Sequence, residues 1–128
     1  MRPHKSNALL LDCSTAVNII VPVQECVGLV DLYNNTNGPS WTTSTNRDTD
    51  TNVCDWFGVD CTLIGGEMRV TTLNLLTNNL VGTLPASMSG LAHMLVMDLS
   101  QNGLTGTLPS SWSTMTGIQA LQIYSNSI

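Results

Sequence analysis

The segment NNLVGTLP, residues 78 to 85, returns as NGLTGTLP at residues 102 to 109, and SNSI at 125 to 128 starts the phrase a third time. Rows of 24 beginning at Val70, Met94 and Ile118 align Leu73 with Met97 and Leu121, Leu75 with Leu99 and Ile123, and Leu80 with Leu104 and Ile128. Polar columns hold equally well: Asn78, Asn102 and Asn126 recur at the same interval, as do Gly82 with Gly106, Thr83 with Thr107, Leu84 with Leu108 and Pro85 with Pro109. This period constrains the fold more than any other feature. A unit so short buries nothing alone, so the rows must stack and share one core.

Each column has a physical duty. In Val70-Thr71-Thr72-Leu73-Asn74-Leu75 the alternation predicts a short strand with Leu73 and Leu75 inward and Thr72 and Asn74 outward. Asn at the ninth place turns the chain out of the strand, and its side-chain amide can satisfy loop backbone groups inside the stack. Gly at the thirteenth place permits a backbone closed to other residues, Leu84 and Leu108 enter the core, and Pro at the sixteenth ends the extended stretch. Ala86 to Leu91 and Ser110 to Met115 then predict 3₁₀-like turns, with Met88 and Leu91, or Trp112 and Met115, on the inner side.

Ahead of the repeats, Pro22 can open a helix in which Cys26, Leu29, Val30 and Tyr33 share one face, and Gly38-Pro39 ends it. Val59 to Ile64 and Met68 to Leu73 flank Gly65-Gly66-Glu67 and predict a hairpin leading into the first row. Cys54 and Cys61 enclose six residues, a spacing that suits neither a CxxC redox pair nor a zinc site. A disulfide is the better reading, with two buried free thiols as the alternative, and it implies an oxidising compartment. MRPHK followed by ALLLDCSTAVNIIVPV has the charge order of a secretory signal, but Asp12 and Asn18 interrupt the apolar run and no small-x-small cleavage site follows. Residues 1–23 are thus a signal or a disordered segment. If they are removed, Cys26 is left odd; if they stay, Cys13 can pair with it.

The pattern LxxLxLxxNxLxGxLPxxxxxLxx resembles the extracellular plant-type leucine-rich repeat. The preceding ECVGLVDLYNNTNGPSW, NVCDWFGVDC and MRVTTLNL resemble the cap that covers the first repeat in such proteins. SWTTSTN and TGTLPSSWSTM look most like kinetoplastid surface-antigen repeats, with plant receptor and inhibitor branches close by. The resemblance covers about residues 24 to 128. It implies an α/β repeat solenoid, a right-handed coil with short parallel strands on its concave face, in which residues 24–69 form the N-terminal cap and 70–128 two complete repeats and a truncated third. Where the family usually places a second Trp after NGxxW, this chain has Arg47, so that corner of the cap should pack less well.

Function follows from what such a surface can and cannot do. Only 10% of residues are charged, against roughly 25% in ordinary soluble domains, while Ser, Thr and Asn supply 40 of the 128 positions. With a net charge of −5 and four basic residues, the chain cannot neutralise a row of phosphates, which argues against nucleic acid. An anionic membrane surface is excluded likewise, leaving membrane attachment to segments outside this chain. Asp48, Asp50 and Asn52 alternate as in a calcium loop, but Val53 and Val59 stand where its Gly and Glu belong, so a solvated loop is the better reading. Asp55 and Asp60 read as surface acids beside the disulfide, and His93 has no nucleophile motif near it. No cofactor, metal or catalytic motif is expected, and the chain reads as a non-enzyme.

A stacked sheet instead presents its outward residues as a regular array. Thr72, Val96 and Ala120 should form one ladder, Asn74, Asp98 and Gln122 a second, and Leu76, Ser100 and Tyr124 a third, with Thr77, Gln101 and Ser125 at the edge. Protein, peptide or glycan would suit these small, amide-rich ladders, with Tyr124 as anchor and Asp98 as the one charge. A passive stalk is the bland alternative, and the ectodomain of a larger receptor, such as a receptor kinase, the other. Asn34 of Asn34-Asn35-Thr36 is a glycosylation acceptor for a secreted or cell-surface chain. Leu121, Ile123 and Ile128 should lie open at an uncapped C-terminal end and favour self-association. The third copy stops two residues before its Gly is due, as expected of the first part of a longer repeat protein.

Overall fold

A computed structural model of the chain describes Cys13, residues 20–46 and residues 52–128. Arg47, the Asp48 and Asp50 of the calcium reading, and residues 1–12 and 14–19 of the signal reading lie outside the described residues.

Helix α1, Val23–Asn35, starts at Pro22, whose carbonyl accepts the first turn's N–H groups from Glu25 and Cys26. It buries Cys26, Leu29 and Tyr33 as expected, with Leu32 added to them, while Val30 of the expected face is only half-buried. Gly38–Ser40 then form a 3₁₀ turn that delivers Trp41 edge-on to Tyr33, ring centroids 5.2 Å apart. Strand β1, Val59–Ile64, and strand β2, Glu67–Asn74, pair antiparallel around Gly65 and Gly66. Both glycines have positive φ, 60° and 86°, the turn geometry that only such residues adopt readily. The register slips between Asp60 and Cys61, where Thr71 is squeezed in as a bulge.

The rows stack as the repeat requires. Strand β4, Val96–Asp98, lies parallel to β2, and strand β6, Ala120–Gln122, parallel to β4, giving a sheet ordered β1-β2-β4-β6. Strand β3, Val81–Thr83, and strand β5, Gly103–Thr105, form a second, smaller parallel sheet. The third side of each row is a 3₁₀ turn, Ala86–Gly90 and Ser110–Thr114. Leu73, Leu75, Leu80, Met88, Leu91, Met97, Leu99 and Leu104 are fully buried between the sides. One core column departs from expectation: Leu84 is buried, but Leu108 keeps 38% of its surface exposed. No third member of that column, 24 residues on, falls within the sequence.

The asparagine column does what its chemistry allows, and more. Asn102 Oδ1 accepts from the Asn78 and Leu80 N–H groups at 2.9 and 3.0 Å, while its Nδ2 donates to the Leu75, Leu99 and Ser100 carbonyls at 2.9–3.0 Å. Asn126 repeats this one row on, accepting from Leu104 N–H at 2.9 Å and donating to the Leu99 and Ile123 carbonyls at 2.9 and 3.1 Å. Each asparagine therefore stitches its own row to the row before. Asn78 has no earlier repeat to hold, so it clamps the cap, its Oδ1 accepting from Thr43 N–H at 2.7 Å and its Nδ2 donating to the Thr43 carbonyl at 2.9 Å. The cap thereby imitates a repeat where the stack begins.

Gly82 fixes the cap from the other side. Its φ is 142°, and a Cβ placed there would overlap the Asn35 carbonyl at the end of α1. The neighbouring Val81 N–H reaches the Thr36 carbonyl at 3.2 Å. Disulfides complete the cap: Cys54 bonds to Cys61, as expected, and Cys13 bonds to Cys26 on α1, the second of the two arrangements the sequence left open.

Because Asn102 serves five peptide groups, Asn102→Ala strands several of them away from water. Each orphaned group costs about 1–3 kcal/mol, and relaxation recovers part of the sum. Urea unfolding should place Asn102→Ala about 2–4 kcal/mol below wild type, whereas Gln122→Ala, at an exposed strand position, should stay within about 0.5 kcal/mol.

Candidate functional site

Two of the three outward ladders expected from the spacing are present as register-matched rows. Thr72 stands opposite Val96 and Val96 opposite Ala120, while Asn74 stands opposite Asp98 and Asp98 opposite Gln122. Asn74 and Gln122 are exposed, and Thr72, Asp98 and Ala120 are half-buried. Apolar surface is present too: Val96 is 37% exposed, Leu76 41% and Tyr124 54%.

Ser100 must be struck from this array. It is fully buried, a short side chain in a column between the longer Leu76 and Tyr124, and its Oγ has no hydrogen-bond partner among the described residues. The backbone explains the column: the Thr77 N–H bonds the Ser100 carbonyl at 3.0 Å, and the Gln101 N–H bonds that of Tyr124 at 2.9 Å. Thr77, Gln101 and Ser125 are all left-handed, at φ 50°, 58° and 57°, so each row leaves its strand through the same bend. At the edge, Thr77 Oγ1 donates to Gln101 Oε1 at 2.8 Å.

Two of the ladder residues also hold this bend. Asn74 Oδ1 accepts from Leu76 N–H at 3.1 Å, and Asp98 Oδ1 accepts from Ser100 N–H at 3.0 Å. Such turns use one oxygen of each side chain and leave its second polar atom outside the turn. That dual role was open to a reader of the sequence, since Asn and Asp two residues ahead of a bend are the usual signal.

The stacked rows and their asparagine column define a leucine-rich repeat fold. Residues 93–115 match the Leucine Rich Repeat family. No curated protein matches the chain in sequence. The LRR ectodomain of the receptor kinase SOBIR1 from Arabidopsis thaliana has the same fold, with a TM-score of 0.65 at 20% identity over 84% of this chain and 56% of that one. The BIR2 ectodomain from Arabidopsis thaliana gives a TM-score of 0.64 at 28% identity, over 83% of this chain and 56% of that one. The ectodomain of the plant membrane receptor kinase GASSHO1/SCHENGEN3 from Arabidopsis thaliana, solved in complex with CASPARIAN STRIP INTEGRITY FACTOR 2, is 34% identical over 60% of this chain and 9% of that one, with a TM-score of 0.56. The chain thus spans 56% of the length of the first two ectodomains. The likeness to the BIR2 ectodomain and two disulfides point to an extracellular location. No helix among the described residues is long and apolar enough to cross a membrane.

Asp55 and Asp60 are exposed, and no cluster of three metal-ligating side chains occurs among the described residues. The buried carboxyl is one the sequence did not announce. Glu25 of α1 is fully enclosed, its Oε1 accepting from the Val70 N–H at 2.8 Å. Its Oε2 lies 3.2 Å from Arg69 Nε, an ion pair whose angle falls outside hydrogen-bond geometry. Nothing here is open to a substrate; Glu25 braces the cap helix against the strand that begins the first row. Burial pushes its carboxyl above the ordinary value of 4.5, the Val70 N–H, Arg69 and His93 pull it back, and Glu67 adds to the rise. The folded chain therefore holds this proton more tightly than the unfolded chain does. Its contribution to stability is complete below the unfolded pKa and is lost as pH rises through the folded one. Urea melts should show wild type gaining stability relative to Glu25→Gln as pH falls from neutral toward the ordinary glutamate range. A difference that ignores pH, or moves the other way, contradicts this assignment.

Proposed function

We propose that the open face of the four-stranded sheet is the concave surface of a right-handed leucine-rich repeat solenoid, and that it binds a protein or peptide without catalysis. The observation that carries this reading is the register of Asn74, Asp98 and Gln122. It sets three different polar side chains in one line, beside the exposed Leu76, Val96 and Tyr124. Residues 24–69 act as the cap of this module and 70–128 as its repeats. The complex of GASSHO1/SCHENGEN3 with CASPARIAN STRIP INTEGRITY FACTOR 2 supports the choice of ligand class; a glycan is the alternative that an amide-rich face would also suit.

The second reading is a portion of a larger receptor, favoured by the span of 56% on the ectodomain of a receptor kinase. The SWTTSTN and TGTLPSSWSTM segments favour a surface-antigen type of repeat protein within the same class. Both readings use the same face, and a passive stalk uses none. Pull-down from a matched extracellular fraction separates a binding face from a stalk. Tyr124→Ala should weaken capture by tenfold or more, about 1.4 kcal/mol, and Asp98→Asn, which keeps the turn oxygen, should weaken it less. Thr105→Ala on the smaller sheet should change nothing. Equal capture by wild type, Tyr124→Ala and Asp98→Asn would favour the stalk.

At the far side of the sheet, β6 is an edge strand, Leu121 and Ile123 are half-buried, and Ile128 is 39% exposed. Unpaired strand edges beside apolar surface recruit a second chain. Sedimentation at rising concentration should reveal self-association; a strictly monomeric chain with a protease-resistant C-terminus would contradict it.

A further inference from the structure

Helix α1 turns one face into the core of the cap and sets Gly28 and Asp31 against the 3₁₀ turn Ala86–Gly90, and it leaves a stripe on its remaining side exposed. Val23 and Val27 keep 48% and 37% of their surface exposed, and Val30, at the edge of that side, is half-buried and packs partly against the core. At 3.6 residues per turn, positions 23, 27, 30 and 34 fall on a single stripe. The last of them is Asn34, which is exposed and heads the one Asn-x-Ser/Thr triplet of the chain.

We propose that Asn34 carries an N-linked glycan and that this glycan covers the valine stripe. The Asn34 side-chain nitrogen would displace the diphosphate of a lipid-linked oligosaccharide at C1 of its first sugar. A C–N bond forms as the C–O bond breaks, and the amide proton leaves with the diphosphate side. The first sugars then stand about one turn from Val30 and two from Val27, where the C–H faces of the pyranose rings meet the valine methyl groups. Oxidation of both cysteine pairs fits the compartment in which such transfer occurs.

The other half of the triplet sets the order of events. Thr36 is fully buried, its Oγ1 donating to the Leu32 carbonyl at 2.6 Å and accepting from Trp41 Nε1 at 3.2 Å. A folded cap hides this hydroxyl from any transferase, so the glycan is added before Trp41 docks. The inference concerns the outward face of the cap and does not depend on what the sheet binds.

The full chain should be secreted from a eukaryotic host as wild type and as Asn34→Gln. Wild type should lose mass on treatment with a peptide glycosidase, and Asn34→Gln should not. Asn34→Gln should bind several-fold more of an apolar-surface dye than glycosylated wild type, and Val23→Thr with Val27→Thr in that background should return binding to the wild-type level. Enzymatic removal of the glycan from folded wild type repeats the comparison without depending on the variant's folding. A secreted, disulfide-bonded wild type unmodified at Asn34 overturns the proposal, as does dye binding that stays unchanged when the glycan is absent.

Discussion

Three asparagine side chains, Asn78, Asn102 and Asn126, bond the peptide groups at the inner corner of each row, and everything else in the stack presupposes them. A strand that ends inside a protein leaves N–H and C=O groups that water cannot reach, and each must find a partner. One primary amide supplies two donors and a carbonyl oxygen in a rigid plane. At Asn102 the oxygen accepts from two N–H groups, and the two N–H hydrogens are shared among three carbonyls. Leucines fill the space between rows, but they do not set its spacing.

The beginning of the stack needs separate devices, because a first row has no predecessor. Asn78 turns to Thr43, Gly82 allows the end of α1 to approach β3, and Glu25 reaches through the cap to the Val70 N–H. All three lie outside the ladders that face solvent. The division follows the sequence: positions alike in every row build the stack, and positions that differ, Asn74 against Asp98 against Gln122, face outward. Asn74 and Asp98 belong partly to both classes, since each also closes a turn with one oxygen.

Much of the architecture was legible because a repeat states its rules several times. The 24-residue columns gave the register of β2, β4 and β6, the 3₁₀ turns at Met88 and Trp112, and the role of the asparagines, while Gly65-Gly66 announced the hairpin. What escaped depends on neighbours far apart in the chain. Glu25 reads as an ordinary first-turn acid, and only its meeting with Val70 and Arg69, over 40 residues on, makes it a buried brace. Ser100 occupies the same column as the exposed Leu76 and Tyr124, and spacing alone assigns it to the surface; the size of its neighbours does not appear in a period. Leu108 fails for the converse reason, since its column is buried only where another row covers it. The bulge at Thr71 leaves no mark in the alternation of its strand.

Amide hydrogen exchange read residue by residue tests the asparagine column most directly. The N–H groups of Leu80 and Leu104 point to asparagine side chains one row on and should exchange only through global opening, as slowly as the central strand β4. Exchange at those two sites that is much faster than in β4 would mean that the asparagine side chains do not hold the rows together.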